Sequence, residues 1–108
     1  MAKLRSMVVE GDSMSPTYSH GDWLLGVWPA SLKKLRPGFV VVVERTDQPG
    51  ILYVKRISEI SQKADGSTEI YLLSDNPRGN DSRQWGWLPI NDVRARILFR
   101  TRRARKSS

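Results

Sequence analysis

The sequence predicts a mainly β fold, a single small β-sandwich or partly open barrel. Short apolar and β-branched runs alternate with clusters of Gly, Pro, Asn and Asp, which is typical of strands and turns. No long segment shows the 3.6-residue apolar period of an amphipathic helix. A length of 108 residues allows one domain with one modest core.

Each predicted strand is bounded by turn residues. Pro37-Gly38 and the "DQPG" stretch at 47–50 separate the middle strands, and Asp65-Gly66 predicts a hairpin turn. A basic connector covers 29–37, and a long polar loop covers 75–87. The predicted strands are Ser6–Glu10, Trp23–Trp28, Phe39–Arg45, Ile51–Ser61, Glu69–Leu73 and Asn91–Arg100, the last as a strand or as a short helix plus a strand.

The basic residues are concentrated at the carboxyl end. The net charge is +7, and residues 100–106 carry five of the basic side chains. We therefore expect residues 1–100 to form the domain and residues 101–108 to form a basic, disordered tail. Such a tail could contact nucleic acid or an anionic membrane surface, although most short basic tails are simply solvated.

Composition excludes several kinds of site. The chain has no cysteine and one histidine, which excludes disulfides, a cysteine nucleophile and thiolate or histidine-rich metal sites. No metal or other cofactor is expected. No apolar run approaches the ~20 residues of a membrane helix, and the amino terminus lacks the apolar centre of a secretion signal. These features predict a soluble, cytoplasmic protein.

Ser13 is the candidate nucleophile, within the stretch "VEGDSMSPTYSHGD" at 9–22. Gly11 allows the backbone to turn and approach a ligand closely, and Pro16 stiffens the turn that follows. A serine becomes a nucleophile only beside a base, and its own amide can help to stabilise an oxyanion. The alternative is an ordinary turn in which the hydroxyls bond locally.

Lys55 is the candidate base. Strand alternation places Ile51, Tyr53, Lys55, Ile57 and Glu59 on one face of "ILYVKRISEI". If that face is the core face, burial lowers the pKa of Lys55 towards the range of about 7–8 that a general base needs. Its neighbour Arg56 stays protonated and cannot act as a base. The alternative is that Lys55 extends its ammonium to water from a half-buried strand.

Other catalytic patterns are weaker. His20 could complete a triad with Ser13, but a histidine before Gly21-Asp22 is better interpreted as a surface turn residue. The S-x-x-K match at 31–34 and the S-D-N match at 74–76 lack the K-T-G that completes the penicillin-recognising pattern, and we treat them as chance.

Three segments in order make the pattern specific. "GDSMSPT" at 11–17 followed by Gly21-Asp22, "YVKRI" at 53–57 and "SDNPRGNDSRQWGWLP" at 74–89 resemble the boxes of the type I signal peptidase family. The resemblance implies a β-rich catalytic domain with a Ser/Lys dyad of Ser13 and Lys55. It also implies oxyanion or substrate contacts at Gly11, Asp12 and Met14, and structural support of the site from Pro16, Asp75, Asn76, Asp81, Ser82 and Arg83.

The sequence departs from the family pattern in the third box. That box is one residue shorter between Asn76 and Asp81, where the family often has a hydroxyl that orients the lysine. Gly79 and Asn80 stand there, and Ser74 opens the box where glycine is common. The family also usually has a membrane anchor, and only twelve residues precede Ser13 here.

The resemblance suggests a substrate class. Short anchorless domains of this type are similar to the maturation proteases of nickel-type superoxide dismutase, which remove an N-terminal leader. The expected partner is therefore a precursor protein with a cleavable N-terminal peptide, and no nucleic acid is expected. The self-cleaving SOS repressors have a related Ser/Lys domain, but they carry a helix-turn-helix in front.

Two alternatives stay open. One is a catalytically idle domain of the same fold. The other is a binding module for nucleic acid or a membrane surface, acting through the basic tail.

Overall fold

A single seven-stranded antiparallel sheet forms the framework of the domain. The computed structural model describes residues 1–105. Helical structure there is limited to α1, Ser82–Trp85, and to 3₁₀ turns at Leu32–Lys34 and Ile90–Asp92, and none of these segments has the length and apolar character needed to span a membrane. The strands are β1 Lys3–Val8, β2 Trp23–Trp28, β3 Val40–Glu44, β4 Leu52–Gln62, β5 Thr68–Leu73, β6 Leu88–Pro89 and β7 Val93–Arg102.

The strand order is β1-β2-β7-β3-β4-β5-β6, and every neighbouring pair is antiparallel. The last strand therefore lies in the middle of the sheet, between β2 and β3. β1 and the two-residue β6 form the edges. The sheet curls into a half-barrel, so the prediction of a mainly β, partly open barrel is confirmed.

The core lies on both faces of β3. Val40 and Val42 pack in one apolar cluster with residues of the 9–14 segment, β2 and β7, while Val41 and Val43 pack in a second cluster with residues of β4 and β5. Alternate side chains of a strand point to opposite faces, which explains why all four valines are at most 6% exposed. An uninterrupted valine run is what a strand buried on both faces requires.

The structure differs from the sequence-based prediction at three places. β1 covers Lys3–Val8 rather than Ser6–Glu10. The predicted polar loop contains α1 and is followed by the unpredicted two-residue strand β6, and segments this short show no apolar periodicity. α1 starts with a capping box between Asp81 and Gln84.

The third difference concerns the predicted tail. β7 continues to Arg102, and the amide of Ala104 donates a 2.6 Å hydrogen bond to Asp22 Oδ1. Residues 101–104 are therefore attached to the domain rather than disordered. The prediction for residues 106–108 lies outside the described residues.

Candidate active site

Ser13 lies in the loop that joins β1 to β2. The ends of this loop are held together, since the amide of Val9 donates to the carbonyl of Asp22 and the amide of Gly21 donates to that of Val9, both at 2.8 Å. The side chains of Val9 and Met14 are buried in the core on either side of Ser13. Ser13, itself half-buried, is thus fixed between two apolar anchors.

The conformation of Gly11 shapes the start of the loop. Its φ of +81° lies in the left-handed region that favours glycine. Its amide donates a 2.9 Å hydrogen bond to His20 Nδ1, so this nitrogen acts as an acceptor that braces the loop. Among residues 1–105, no protein acceptor pairs with the amide of Ser13. That amide is available to a ligand, whereas the amide of Gly11 is occupied.

Lys55 lies on β4, opposite Val41, and is 2% exposed. Ile57, on the same face of β4, is also buried, so the face that Lys55 shares with Tyr53 and Ile57 is the core face. The Lys55 Nζ atom lies 5.7 Å from the centre of the Tyr53 ring and 5.5 Å from that of Trp85. Its hydrogen bond within the described chain, at 2.9 Å, goes to Ser74 Oγ rather than to Ser13.

Burial changes the proton affinity of this lysine. Removal of the ammonium from water lowers the pKa of Lys55 from 10.5 to about 8, a shift that the charge of Asp81 opposes and that of Arg83 assists. At 1.36 kcal/mol per pKa unit, the protonated form is disfavoured by about 3 kcal/mol. About a tenth of the molecules would then carry a neutral Lys55 at pH 7, enough to supply a base.

The late loop, residues 74–81, connects Lys55 to the Ser13 loop. The Asn76 amide donates to the Ser13 carbonyl at 2.9 Å, and Asn76 Nδ2 donates to the carbonyl of Asp12 at 3.0 Å. Two residues earlier, Ser74 holds Lys55. One short stretch of chain therefore contacts both the loop that carries the serine and the lysine.

Asp75 ties the same region to β4. Its carboxylate accepts two hydrogen bonds from Arg56, at 2.9 and 2.8 Å, and one from Thr17 Oγ1 at 2.6 Å. The hydrogen bond from Arg56 is the largest influence that lowers the pKa of Asp75, so the carboxylate stays ionised. Asp75 thereby joins the Ser13 loop, through Thr17, to the strand that carries Lys55.

The late loop and the start of α1 are stabilised by polar contacts of Asp81, Ser82 and Arg83. Burial raises the pKa of Asp81, but hydrogen bonds from Arg83 and from the Ser74 amide outweigh it and keep the pKa below its ordinary value. The Ser74 bond is 2.7 Å long and fixes the backbone next to Lys55. Ser82 Oγ accepts a 2.9 Å bond from the amide of Leu72 and attaches α1 to β5.

Sequence reasoning missed the role of Ser74. The hydroxyl beside Lys55 belongs to Ser74, at the opening of the third box, rather than to position 79 or 80, where the resemblance places it. A Cβ atom added to Gly79 would lie 2.5 Å from Ser74 Oγ. A serine at 74 and a glycine at 79 therefore fit together, a correspondence that becomes visible only when the loop is folded.

The other residues predicted to belong to the site differ in how exposed their side chains are. Met14 is fully buried, so its side chain belongs to the core and only its backbone can face a ligand. Asp12 is exposed, and its carbonyl accepts from Asn76 and from the amide of Ser15. Pro16 is exposed in the turn closed by a 2.9 Å hydrogen bond from the Tyr18 amide to the Met14 carbonyl.

An open groove of about 450 Å³ runs past Ser13. One wall is formed by residues 7–10 at the end of edge strand β1, and the other by Gly50–Val54 and Val42. Met7, Val9, Leu52 and Val54 make its lining largely apolar, and Glu10 adds one carboxylate. Lys55 follows directly after Val54, on the core side of the same strand.

Comparison with known proteins identifies the family of this chain. No curated protein matches the chain. Residues 2–84 match the sequence model of a family described as Peptidase S24-like. The match extends from β1 to α1, so it includes Ser13, Lys55 and the late loop, and it covers well over half of the chain. The chain therefore belongs to the Peptidase S24-like family, whose domains are of the serine peptidase type.

Proposed function

We propose that this protein is a serine endopeptidase in which Ser13 is the nucleophile and Lys55 the general base. The observation that carries the proposal is the buried Lys55, whose amine is held by the same short loop that binds the Ser13 backbone. A serine nucleophile needs an adjacent base, and a lysine can act as one near neutral pH only when its pKa is lowered.

The reaction would proceed in two halves. Neutral Lys55 takes the Ser13 proton as Ser13 Oγ attacks the scissile carbonyl, giving a tetrahedral oxyanion. The Ser13 amide, which has no protein acceptor among residues 1–105, can donate to that oxyanion. Protonated Lys55 then gives its proton to the leaving amine, and the acyl-enzyme forms. Water, deprotonated by Lys55, attacks the ester carbonyl. The second tetrahedral intermediate then collapses, protonated Lys55 returns the proton to Ser13 Oγ, and the acid is released.

The groove favours an extended peptide as the substrate. Within the part of the chain that the structure describes, β1 pairs with β2 alone, so its outer side can pair with another strand. The apolar walls beside Ser13 suit short aliphatic side chains. Together with the signal peptidase resemblance, this supports removal of an N-terminal leader from a precursor protein in the cytoplasm. By resemblance, the nickel superoxide dismutase precursor is the candidate substrate.

A small activated ester tests the chemistry without knowledge of the substrate. Wild-type protein is treated with p-nitrophenyl acetate, and acetylated positions are located by peptide mass mapping. We expect acetylation of Ser13 that is lost in Lys55→Met, whereas Ser15→Ala, which removes a neighbouring hydroxyl from the same loop, behaves like wild type. Equal Ser13 acetylation in wild type and Lys55→Met would refute the dyad.

The substrate is identified by comparing N-terminal peptides of cells that carry wild type or Ser13→Ala. A precursor that accumulates uncut only in the variant is the substrate. If the two sets of N-termini are identical, the leader-removal proposal is wrong.

A second candidate function rests on the carboxyl-terminal arginines. Arg102, Arg103 and Arg105 line an open depression of about 330 Å³ together with Trp23 and Gly21. An idle domain could use this basic, aromatic surface to bind nucleic acid or anionic lipid. Binding that is lost in an Arg103→Ala, Arg105→Ala variant, combined with no Ser13 acetylation in wild type, would favour this function.

A further inference from the structure

The Ser74 hydroxyl lies in a directed chain of hydrogen bonds. Lys55 Nζ donates to Ser74 Oγ at 2.9 Å, and Ser74 Oγ donates to the carbonyl of Asn80 at 3.2 Å. A hydroxyl has a single proton. Because that proton is directed at the carbonyl of Asn80, the Ser74 oxygen is left as an acceptor towards Lys55.

The direction of the Ser74 hydroxyl limits where the lone pair of a neutral Lys55 can point. A neutral amine has two N–H bonds and one lone pair. An acceptor at Ser74 fixes one N–H bond, so the lone pair must point to another side of the nitrogen. A base needs that lone pair directed at the proton it removes. Ser74 therefore limits the orientations that Lys55 can adopt.

The other groups near Lys55 cannot do this. Tyr53 and Trp85 present ring faces at more than 5 Å, which attract a cation but do not direct an N–H bond. The charges of Asp81 and Arg83 act on Lys55 at a distance, and neither forms an ion pair with it within residues 1–105. Ser74 is thus the one directional partner that the described chain gives Lys55.

We propose that Ser74 is a positioning residue, which aims the Lys55 amine at Ser13 and depends on Gly79 for the space its hydroxyl occupies. The inference rests on the proposed function of the Ser13–Lys55 pair. The backbone of Ser74 is held in place, because its amide donates to the fully buried carboxylate of Asp81. The shortened loop thus supplies the hydroxyl from a position where the resembled pattern has glycine.

The test compares wild type with Ser74→Ala in two measurements. The first is the rate of Ser13 acetylation by p-nitrophenyl acetate across pH. We expect the rate at its high-pH plateau to fall by about tenfold or more, since a freely rotating amine seldom points at Ser13. The Ser74 oxygen stabilises the ammonium form of Lys55 more than the neutral amine, so its removal should not raise the pKa of Lys55. We therefore expect no rise in the pH of half-maximal rate.

The second measurement does not need activity. NMR titration of the Lys55 side chain should show a lower pKa in Ser74→Ala than in wild type. Thr46→Val, which removes a hydroxyl that bonds Asp92 and does not contact Lys55, serves as the control and should change neither measurement.

The outcomes separate the positioning role of Ser74 from the proposed function of the Ser13–Lys55 pair. A plateau rate and a Lys55 pKa that both stay unchanged in a folded Ser74→Ala variant would overturn the positioning role. A loss of stability alone, with the plateau rate intact, would also overturn it. Absence of Ser13 acetylation in wild type would instead refute the proposed function, and the titration would still decide whether Ser74 holds Lys55.

Discussion

The main-chain amide of Asn76 lies 2.9 Å from the carbonyl oxygen of Ser13, across a gap of more than sixty residues in sequence. This bond, with that from Asn76 Nδ2 to Asp12, locks the Ser13 loop against the segment that also holds Lys55. Relative placement of serine and lysine is therefore set by one loop.

The rate of Ser13 acetylation should rise with pH. Burial lowers the pKa of Lys55 to about 8, and only the neutral amine can accept a proton. Below that pH the rate should increase about tenfold per unit, and it should level off above it. A pH–rate profile with p-nitrophenyl acetate checks this. A rate still rising steeply between pH 9 and 10 would show that Lys55 keeps an ordinary pKa.

Lys55→Met should stabilise the fold at neutral pH. Below pH 8 the lysine is protonated in both the folded and the unfolded state, so the full cost of burying its charge is present. Between pH 8 and 10.5 the unfolded state binds more protons, so wild-type stability rises and the cost disappears. Lys55→Met removes a burial cost of about 3 kcal/mol and loses about 1 kcal/mol with the Ser74 hydrogen bond. We therefore expect its unfolding free energy at pH 7 to exceed that of wild type by about 2 kcal/mol.

Urea unfolding of both proteins at pH 7 and pH 10 measures this gain. The advantage of the variant should shrink by more than half at the higher pH. An advantage of equal size at both pH values would mean that the burial cost of the charge is absent.

Gly79→Ala should destabilise the wild-type fold but be tolerated when residue 74 has a smaller side chain. The added Cβ would lie 2.5 Å from Ser74 Oγ and 2.7 Å from Ser74 Cβ, distances that force the loop to move. We expect a loss of about 1–3 kcal/mol in unfolding free energy, typical of overpacking. In a Ser74→Gly background the same change should cost less than half as much. Additive effects in this double-mutant cycle would contradict the close fit of the two residues.

Asp22 should connect the carboxyl-terminal segment to the Ser13 loop. This buried carboxylate accepts bonds from the amides of Ser19 and Ala104 and from Arg100 Nη1. Burial raises the pKa of Asp22, but these bonds outweigh it and keep the pKa below its ordinary value. Asp22→Ala should therefore lower the unfolding free energy by about 1–3 kcal/mol.

Thermal unfolding of Asp22→Ala checks this loss, with Asp47→Ala, an exposed carboxylate paired with Arg45, as the matched control. We expect the control to change stability by less than about 1 kcal/mol. Equal effects of the two substitutions would show that Asp22 does not brace the loop.

Local pattern predicted much of the fold. The alternation in β4 correctly placed Lys55 on the same face as Tyr53 and Ile57, and the structure shows that this is the core face. The β-branched run at 39–45 predicted a strand, and the structure shows that its valines are buried. Apolar periodicity is a property of neighbouring residues, so a single sequence is enough to reveal it.

Contacts between distant segments could not be predicted in this way. The end of β7 depends on its pairing with residues 23–25 of β2. The contact of Ser74 with Lys55 requires β4 and β5 to be in register and the late loop to fold back on itself. None of these has a local signature beyond the residue types involved.

The proximity of Ser13 and Lys55 is the central claim, and a single thiol tests it most directly. Because the chain has no cysteine, Ser13→Cys introduces the only one. Its alkylation by iodoacetamide is followed across pH, with Lys55 present and in Lys55→Met. A free thiol has a pKa near 8.5, and a nearby ammonium lowers it. We predict a midpoint at least about one pH unit lower with Lys55 than without it, whereas coinciding profiles would contradict the dyad.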